Sequence, residues 1–332
     1  MASAVPPLAE LAAGAHVVQI PLTTRFRGID TREAMLLHGP SGWGEWAPFL
    51  EYGPHESARW LASAVQDAWG PPWPAAVRPV VPVNAIIPAV EPKAAAAILH
   101  RSGGCRTAKV KVAQAGQHLD DDIARVAAVR SALDEAGPGG RLRVDANGGW
   151  TVDQARVALG ELAAFGLEYA EQPCQTLAEQ ARLRRMVEVP LAADEGVRKA
   201  DDPRRVPGLA QAADLVVLKV APLGGVVAAL DVARACGLPV VVSSALDTSV
   251  GLAAGVAVAA ALPELPYACG LGSGRLLCAD VVLQRLLPHR GLLTVGRPVP
   301  DPGLLAEHAA TAERVHWWHS RLAAAYESML AS

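Results

Sequence analysis

The chain has 332 residues, 51% of them hydrophobic and 19% charged, with 30 basic side chains against 33 acidic ones for a net charge of -3. That length suits one large barrel or two domains, since single cores stop growing at roughly 250 to 300 residues, and high apolar content with low net charge excludes a disordered chain. The balanced charge, without a basic cluster, argues against nucleic acid as a partner, and the longest apolar run, Val250 to Leu262, is short of the roughly 20 residues that span a membrane.

Taken in chain order, the first residues lack a basic segment, so no secretory signal is expected. Five scattered cysteines without a CxxC pair predict neither a disulfide framework nor a zinc site, and a cytoplasmic protein is expected. Residues 1–81 read as a separate α+β layer, with strand-like HVVQIPL and AMLLHG, a tryptophan and glycine-rich SGWGEWAPF, and a helix over Glu56 to Trp69. Residues 82–274 repeat one beat: PVNAII, TAKVKV, RLRVDAN, LEYAEQ, VPLAADE, DLVVLKV, LPVVVSS and PYACGL, the first seven each followed by an alanine and leucine-rich amphipathic stretch. This pattern predicts an α/β fold, a (β/α)7β barrel with short buried strands, with an open doubly wound sheet as the competing arrangement. Part of 275–332 returns to the N-terminal layer, and 303–332 reads as a helical extension that covers the barrel or joins subunits. Monomer and homo-oligomer both stay open.

Arginine outnumbers lysine 25 to 5, and three of the five lysines, Lys109, Lys111 and Lys219, end predicted strands. Strand alternation turns Lys109 and Lys111 to one side, and Arg143 and Asp145 likewise. Facing the helices these charges would be buried unpaired, whereas the top of the lumen is where barrel enzymes keep their chemistry. Asp145, Glu171 and Asp194 end three successive strands, 26 and 23 residues apart. Three converging carboxylates repel unless a hard divalent cation neutralises them, and magnesium fits an all-oxygen set. A cation between two lysines suits removal of a proton beside a carboxylate, so a small-molecule carboxylate is the expected substrate. Lys109 and the metal should lower the pKa of Lys111.

The ordered set AKVKV, RVDANGGW, EYAEQP, AADEG, VLKVAPLGG and SSALDTSVGLAAG resembles the enolase superfamily, in the branch with a lysine motif on the second barrel strand. With TTRFRGIDTREAMLL, SGWGEWAPFLEYGP, EQPC and ELPYACGL, it is similar more narrowly to the o-succinylbenzoate synthase family in its actinobacterial form, over roughly residues 15 to 295. The resemblance implies a modified TIM barrel under an α+β capping domain. It also implies magnesium on Asp145, Glu171 and Asp194, Lys111 as acid and base, and Lys219 on the opposite face. The implied reaction is dehydration of 2-succinyl-6-hydroxy-2,4-cyclohexadiene-1-carboxylate in menaquinone biosynthesis. Further substrate contacts are expected at Lys109, Arg143, Asn147, Ser243 and Ser244, and at Phe26, Arg27 and Gly28, where the family sends a mobile loop over the barrel mouth. For Lys109 a plain ion pair is the lesser alternative, for Arg143 a structural salt bridge is an equal one, and Glu195 is expected to be a structural or supporting partner of the site. Asp247 departs from the glutamate of many relatives. An N-succinylamino acid racemase using both lysines as bases, and a catalytically silent binding barrel, are the alternatives.

Overall fold

Alternating apolar residues near the start of the chain fold as an antiparallel meander whose two faces are both covered. The computed structural model describes residues 5–331; residues 1–4 of the predicted N-terminal layer and Ser332 of the predicted tail lie outside the described residues. A short helix α1 (Leu8–Ala13), which the sequence pattern did not announce, leads into β1 (Ala15–Phe26), β2 (Ile29–Gly39) and β3 (Gly42–Trp46), followed by α2 (Pro54–Trp69). Val17, Met35, Leu37 and Trp46 pack beneath α2 with Trp60 and Leu61. Val18, Ile20, Ala34 and Leu36 pack on the opposite side against Leu246 and Val250 of the barrel. Period-2 alternation therefore fills both faces of one sheet.

The barrel follows. After β4 (Val80–Pro82) come β5 (Ala85–Ile87), α3 (Pro92–His100), β6 (Thr107–Lys111), α4 (Leu119–Glu135), β7 (Arg141–Asp145), α5 (Val152–Leu162), β8 (Leu167–Glu171), α6 (Leu177–Arg184) and β9 (Leu191–Ala193). Two single-turn helices, α7 (Glu195–Arg198) and α8 (Leu209–Ala212), precede β10 (Leu215–Lys219), then α9 (Val220–Leu223), α10 (Val226–Cys236), β11 (Val240–Ser243) and α11 (Ser249–Ala261). Strands β5 to β11 form one parallel sheet in sequence order. Thr151 and Thr176 start α5 and α6 with reciprocal capping boxes to Gln154 and Glu179, fixing each strand-to-helix turn at the rim. Tyr169, Leu215, Val217 and Val241 fill the lower lumen.

Two sequence expectations need correction. PVNAII is split: β4 pairs antiparallel with β12 (Leu292–Thr294), and only β5 joins the barrel. PYACGL forms no regular eighth strand; the ring closes through two parallel bridges, Cys269 to Val83 and Gly270 to Ser243. The closure is tight enough to require glycine: a side chain at Gly270 would stand 2.4 Å from the Ser243 hydroxyl, and one at Gly272, just beyond, 2.4 Å from the Asn84 carbonyl.

The last segments return to the N-terminal layer. Leu277 and Ala309 bridge to Leu22 and Val18 of β1. Helix α12 (Pro302–Glu307) leads to α13 (Ala312–Leu330), which packs on α2. Trp318 is fully buried, edge-on to Trp46 at 5.3 Å, and its indole N–H donates to Glu33 at 2.7 Å. The predicted extension thus completes the cap rather than covering the barrel.

Candidate active site

Register places the chemistry. Lys111 lies opposite Asp145, and Asp145 opposite Glu171, on β6, β7 and β8, while Asp194 follows β9 directly. All three carboxylates are buried to within 1% of full enclosure. The Lys109 ammonium stands 2.7 Å from Glu171 Oε1 and 3.0 Å from Asp145 Oδ2, and Lys111 Nζ donates to Asp145 Oδ2 at 2.6 Å and to Asn147 Oδ1. Lys219 Nζ donates to Asp194 Oδ2, whose other oxygen accepts from Arg198 Nε at 3.0 Å.

Electrostatics divides these groups. Burial pushes the Asp145 carboxyl up, but Lys109 and Lys111 outweigh it and hold it well below the ordinary carboxylate range. Asp194 is likewise held down, against burial, by Lys219 and Arg198. Glu171 goes the other way, raised to about 7 by burial and by the neighbouring charge of Asp145. Lys111 is lowered from the ordinary lysine range by burial, with the Lys109 charge acting in the same direction. Lys109 is raised: burial disfavours its charge, and Asp145 and Glu171 more than offset that. The two lysines of AKVKV therefore diverge, one a fixed cation and the other inclined toward a base.

The residues fit a hard divalent cation. Their donors are all carboxylate oxygens, and the Lys109 ammonium already lies between Asp145 and Glu171, so this space accepts positive charge. Among the described residues no three His, Cys, Asp or Glu side chains stand close enough to hold one ion together, and each of these carboxylates is paired with lysine or arginine.

Lys109, Lys111, Asp145 and Lys219 line one small cavity with Ser243, Ser244, Phe26 and Arg27. Both serine hydroxyls donate to the Gly270 carbonyl, at 3.2 and 3.0 Å. Phe26 and Ile29 pair across a tight two-residue turn, with Arg27 at φ 51° and Gly28 at φ 79°. The expected loop is thus a hairpin tip, a turn type that needs positive φ at both positions. Its Phe26 ring centre is 5.6 Å from Lys111 Nζ, and the Arg27 guanidinium lies 4.1 Å over the Phe49 ring. Removing Phe26 loses aromatic contact of about 1 kcal/mol, so Phe26→Ala should raise KM by about five- to tenfold. Steady-state kinetics beside an unchanged thermal melt checks this; an unaltered KM would reject the tip as a lid.

Arg143 is placed elsewhere. It is fully buried below the lysines, pairing with Glu168 at 2.6 Å, donating to Asn84 and Ala268, and lying over the Tyr169 ring, so it braces the barrel floor. Sequence reasoning missed Phe49 on the cavity wall, Arg198, and Gln172, whose side-chain oxygen accepts from the Asp194 and Gly196 amides. The glutamine of EQP and an arginine four residues after Asp194, one helical turn on, were the available signals. Glu195 accepts from Asn147 Nδ2 and pairs with Arg198. Asp247 accepts from the Ala245 amide at 3.0 Å, shaping the turn after β11. Beside it, Arg32 of the cap donates to the Leu246 carbonyl, and Glu45 accepts from Thr248 and Gly251.

Comparison with known proteins gives the fold and the family. Residues 92–311 match the family described as enolase C-terminal domain-like, and residues 17–68 match enolase N-terminal domain-like. An o-succinylbenzoate synthase of Thermobifida fusca is 59% identical over 92% of this chain and 94% of its own length. That of Mycolicibacterium smegmatis is 52% identical over 98% and 99%. Among solved structures, muconate lactonizing enzyme from Pseudomonas fluorescens shares the fold with a TM-score of 0.76 at 21% identity, over 89% of this chain and 98% of that one. The chain belongs to the o-succinylbenzoate synthase family of the enolase superfamily.

Proposed function

We propose that the chain is a magnesium-dependent o-succinylbenzoate synthase that removes water, in the syn sense, from 2-succinyl-6-hydroxy-2,4-cyclohexadiene-1-carboxylate to give 2-succinylbenzoate for menaquinone biosynthesis. The observation that carries the reading is the pair Lys111 and Lys219 on one cavity beside Asp145, Glu171 and Asp194. Magnesium held by these three carboxylates would supply positive charge to the substrate carboxylate, whose neighbouring C–H becomes more acidic. Neutral Lys111 takes that proton, and the same lysine, now protonated, hands it to the departing hydroxyl as the C–O bond breaks. Its lowered pKa suits the first half of that cycle, and Asn147 Oδ1 orients the ammonium for the second. Lys219 stays charged and stabilises the flat anion from the other face. Lys109, the Ser243 and Ser244 hydroxyls and the Phe26 to Gly28 tip would bind and enclose the substrate. The unpaired cysteines support a cytoplasmic setting, and among the described residues no helix is long and apolar enough to cross a membrane.

The test is a spectrophotometric assay with the cyclohexadiene substrate and magnesium, beside a racemisation assay on N-succinyl amino acids. Aromatisation is the expected result. Racemisation alone would replace this reading with a two-base racemase, which the same two lysines would serve.

A further inference from the structure

Behind Ile86 lies a second cavity, of about 300 Å³, between β1, α3 and the 272–288 segment. Ile86 alone lines both this space and the lysine cavity. Its wall presents three guanidinium groups, Arg101, Arg275 and Arg285, and no carboxylate. Arg101 is exposed with no hydrogen-bond or ion-pair partner among the described residues, and Arg275 makes only a long bond to the Pro288 carbonyl at 3.3 Å. Arg285 is braced by the Gly274 and Leu277 carbonyls at 2.7 and 2.9 Å, and its Nε lies 3.8 Å from the Asp280 carboxylate, so it is already paired. Ser102 lines the cavity as well, although its Oγ is itself enclosed and without a partner. Two exposed guanidiniums, Arg101 and Arg275, thus stand on a concave wall with no carboxylate to pair with, which suits an anionic acceptor. The remaining wall combines an apolar side, Ile98, Leu276, Leu277 and Leu287, with the polar Thr23, Thr24 and Asn84.

We infer that this cavity is a second binding site, separate from the lysine cavity, for a small molecule with an apolar body and an anionic head, carboxylate or phosphate. Arginine favours such planar, multiply accepting heads, and Arg101 and Arg275 keep donors to spare. Thr23 and Thr24 add hydroxyls on the β1 side, and the leucine and isoleucine side chains take the body.

Cys278 provides the readout, because it is exposed, lines this cavity and does not line the other. The probes are 4-phenylbutyrate and phenyl phosphate, titrated calorimetrically, with alkylation of Cys278 by iodoacetamide followed by peptide mass spectrometry. At ten times its Kd, a bound probe should slow Cys278 alkylation by about tenfold. The double substitution Arg101→Ser with Arg275→Ser should remove that protection while leaving the thermal melt unchanged. Should the double variant fail to fold, Arg101→Ser alone, at an exposed and unpartnered residue, should weaken it. Protection by one probe only supports the site and identifies its head group. No protection by either probe, or equal protection in the wild type and the arginine variants, would overturn the inference.

Discussion

Lys111→Arg is expected to lose turnover by about 10²–10⁴-fold, the range over which a positioned acid and base contributes, and Lys111→Ala should fare no better. Arginine stays protonated and cannot take a proton. The lowered pKa of Lys111 also sets the sign of the pH profile: kcat/KM rises with pH until the free enzyme's lysine is neutral. Lys219 is assigned charge rather than proton exchange, so Lys219→Arg should retain clearly more activity than Lys111→Arg, provided the ion pair with Asp194 re-forms. Measured kcat/KM for the two arginine variants, with folding and magnesium affinity checked in parallel, decides the matter. Equal and near-complete loss in both would favour two proton-exchanging lysines and a racemase.

The carboxylates carry the second large effect. Asp145→Ala, Glu171→Ala and Asp194→Ala should each abolish magnesium-dependent activity, because each removes part of an oxygen set and leaves buried lysines or arginine unbalanced. A readout independent of turnover exists at Glu171. Burial and Asp145 raise its carboxyl to about 7, so near neutrality it is partly protonated, and a cation bound beside it would lower that value. Magnesium binding near pH 7 should therefore release protons, seen as a buffer-dependent calorimetric heat, and Glu171→Gln should suppress that release. Full activity in EDTA, or binding heats that do not vary with buffer, would remove the cation from this site.

The main lines of this site were legible in the sequence because strand alternation is strict. Once β6 and β7 are recognised, the facing of Lys109, Lys111 and Asp145 follows, and one βα unit per strand aligns Glu171 and Asp194 beside them. What escaped was set by packing. Nothing local to PYACGL reports that the ring would close there through single bridges, from Cys269 to Val83 and from Gly270 to Ser243, rather than a full strand. Arg143 has the parity of the site, but its depth follows from Glu168, which a register shift in β8 brings within reach. The hairpin tip was located, yet its order depends on the Phe49 face under Arg27, far along the chain. Arg198 depends on a helical turn too short to show periodicity.

The cap that roofs the lysines is drawn from both flanks of the barrel. Its strands come from residues 15–46 and its packing helix from 312–330, and Glu33 meets Arg314 across a separation of 281 residues. During synthesis every barrel strand leaves the ribosome before Trp318 can cover Trp46, so the cap sheet waits with one apolar face incompletely buried. Such high contact order makes joining the cap a late event in folding, after the lumen has formed. The lysine cavity, roofed by Phe26, thus waits on the last-made helix to complete its cap, although that helix supplies none of its lining.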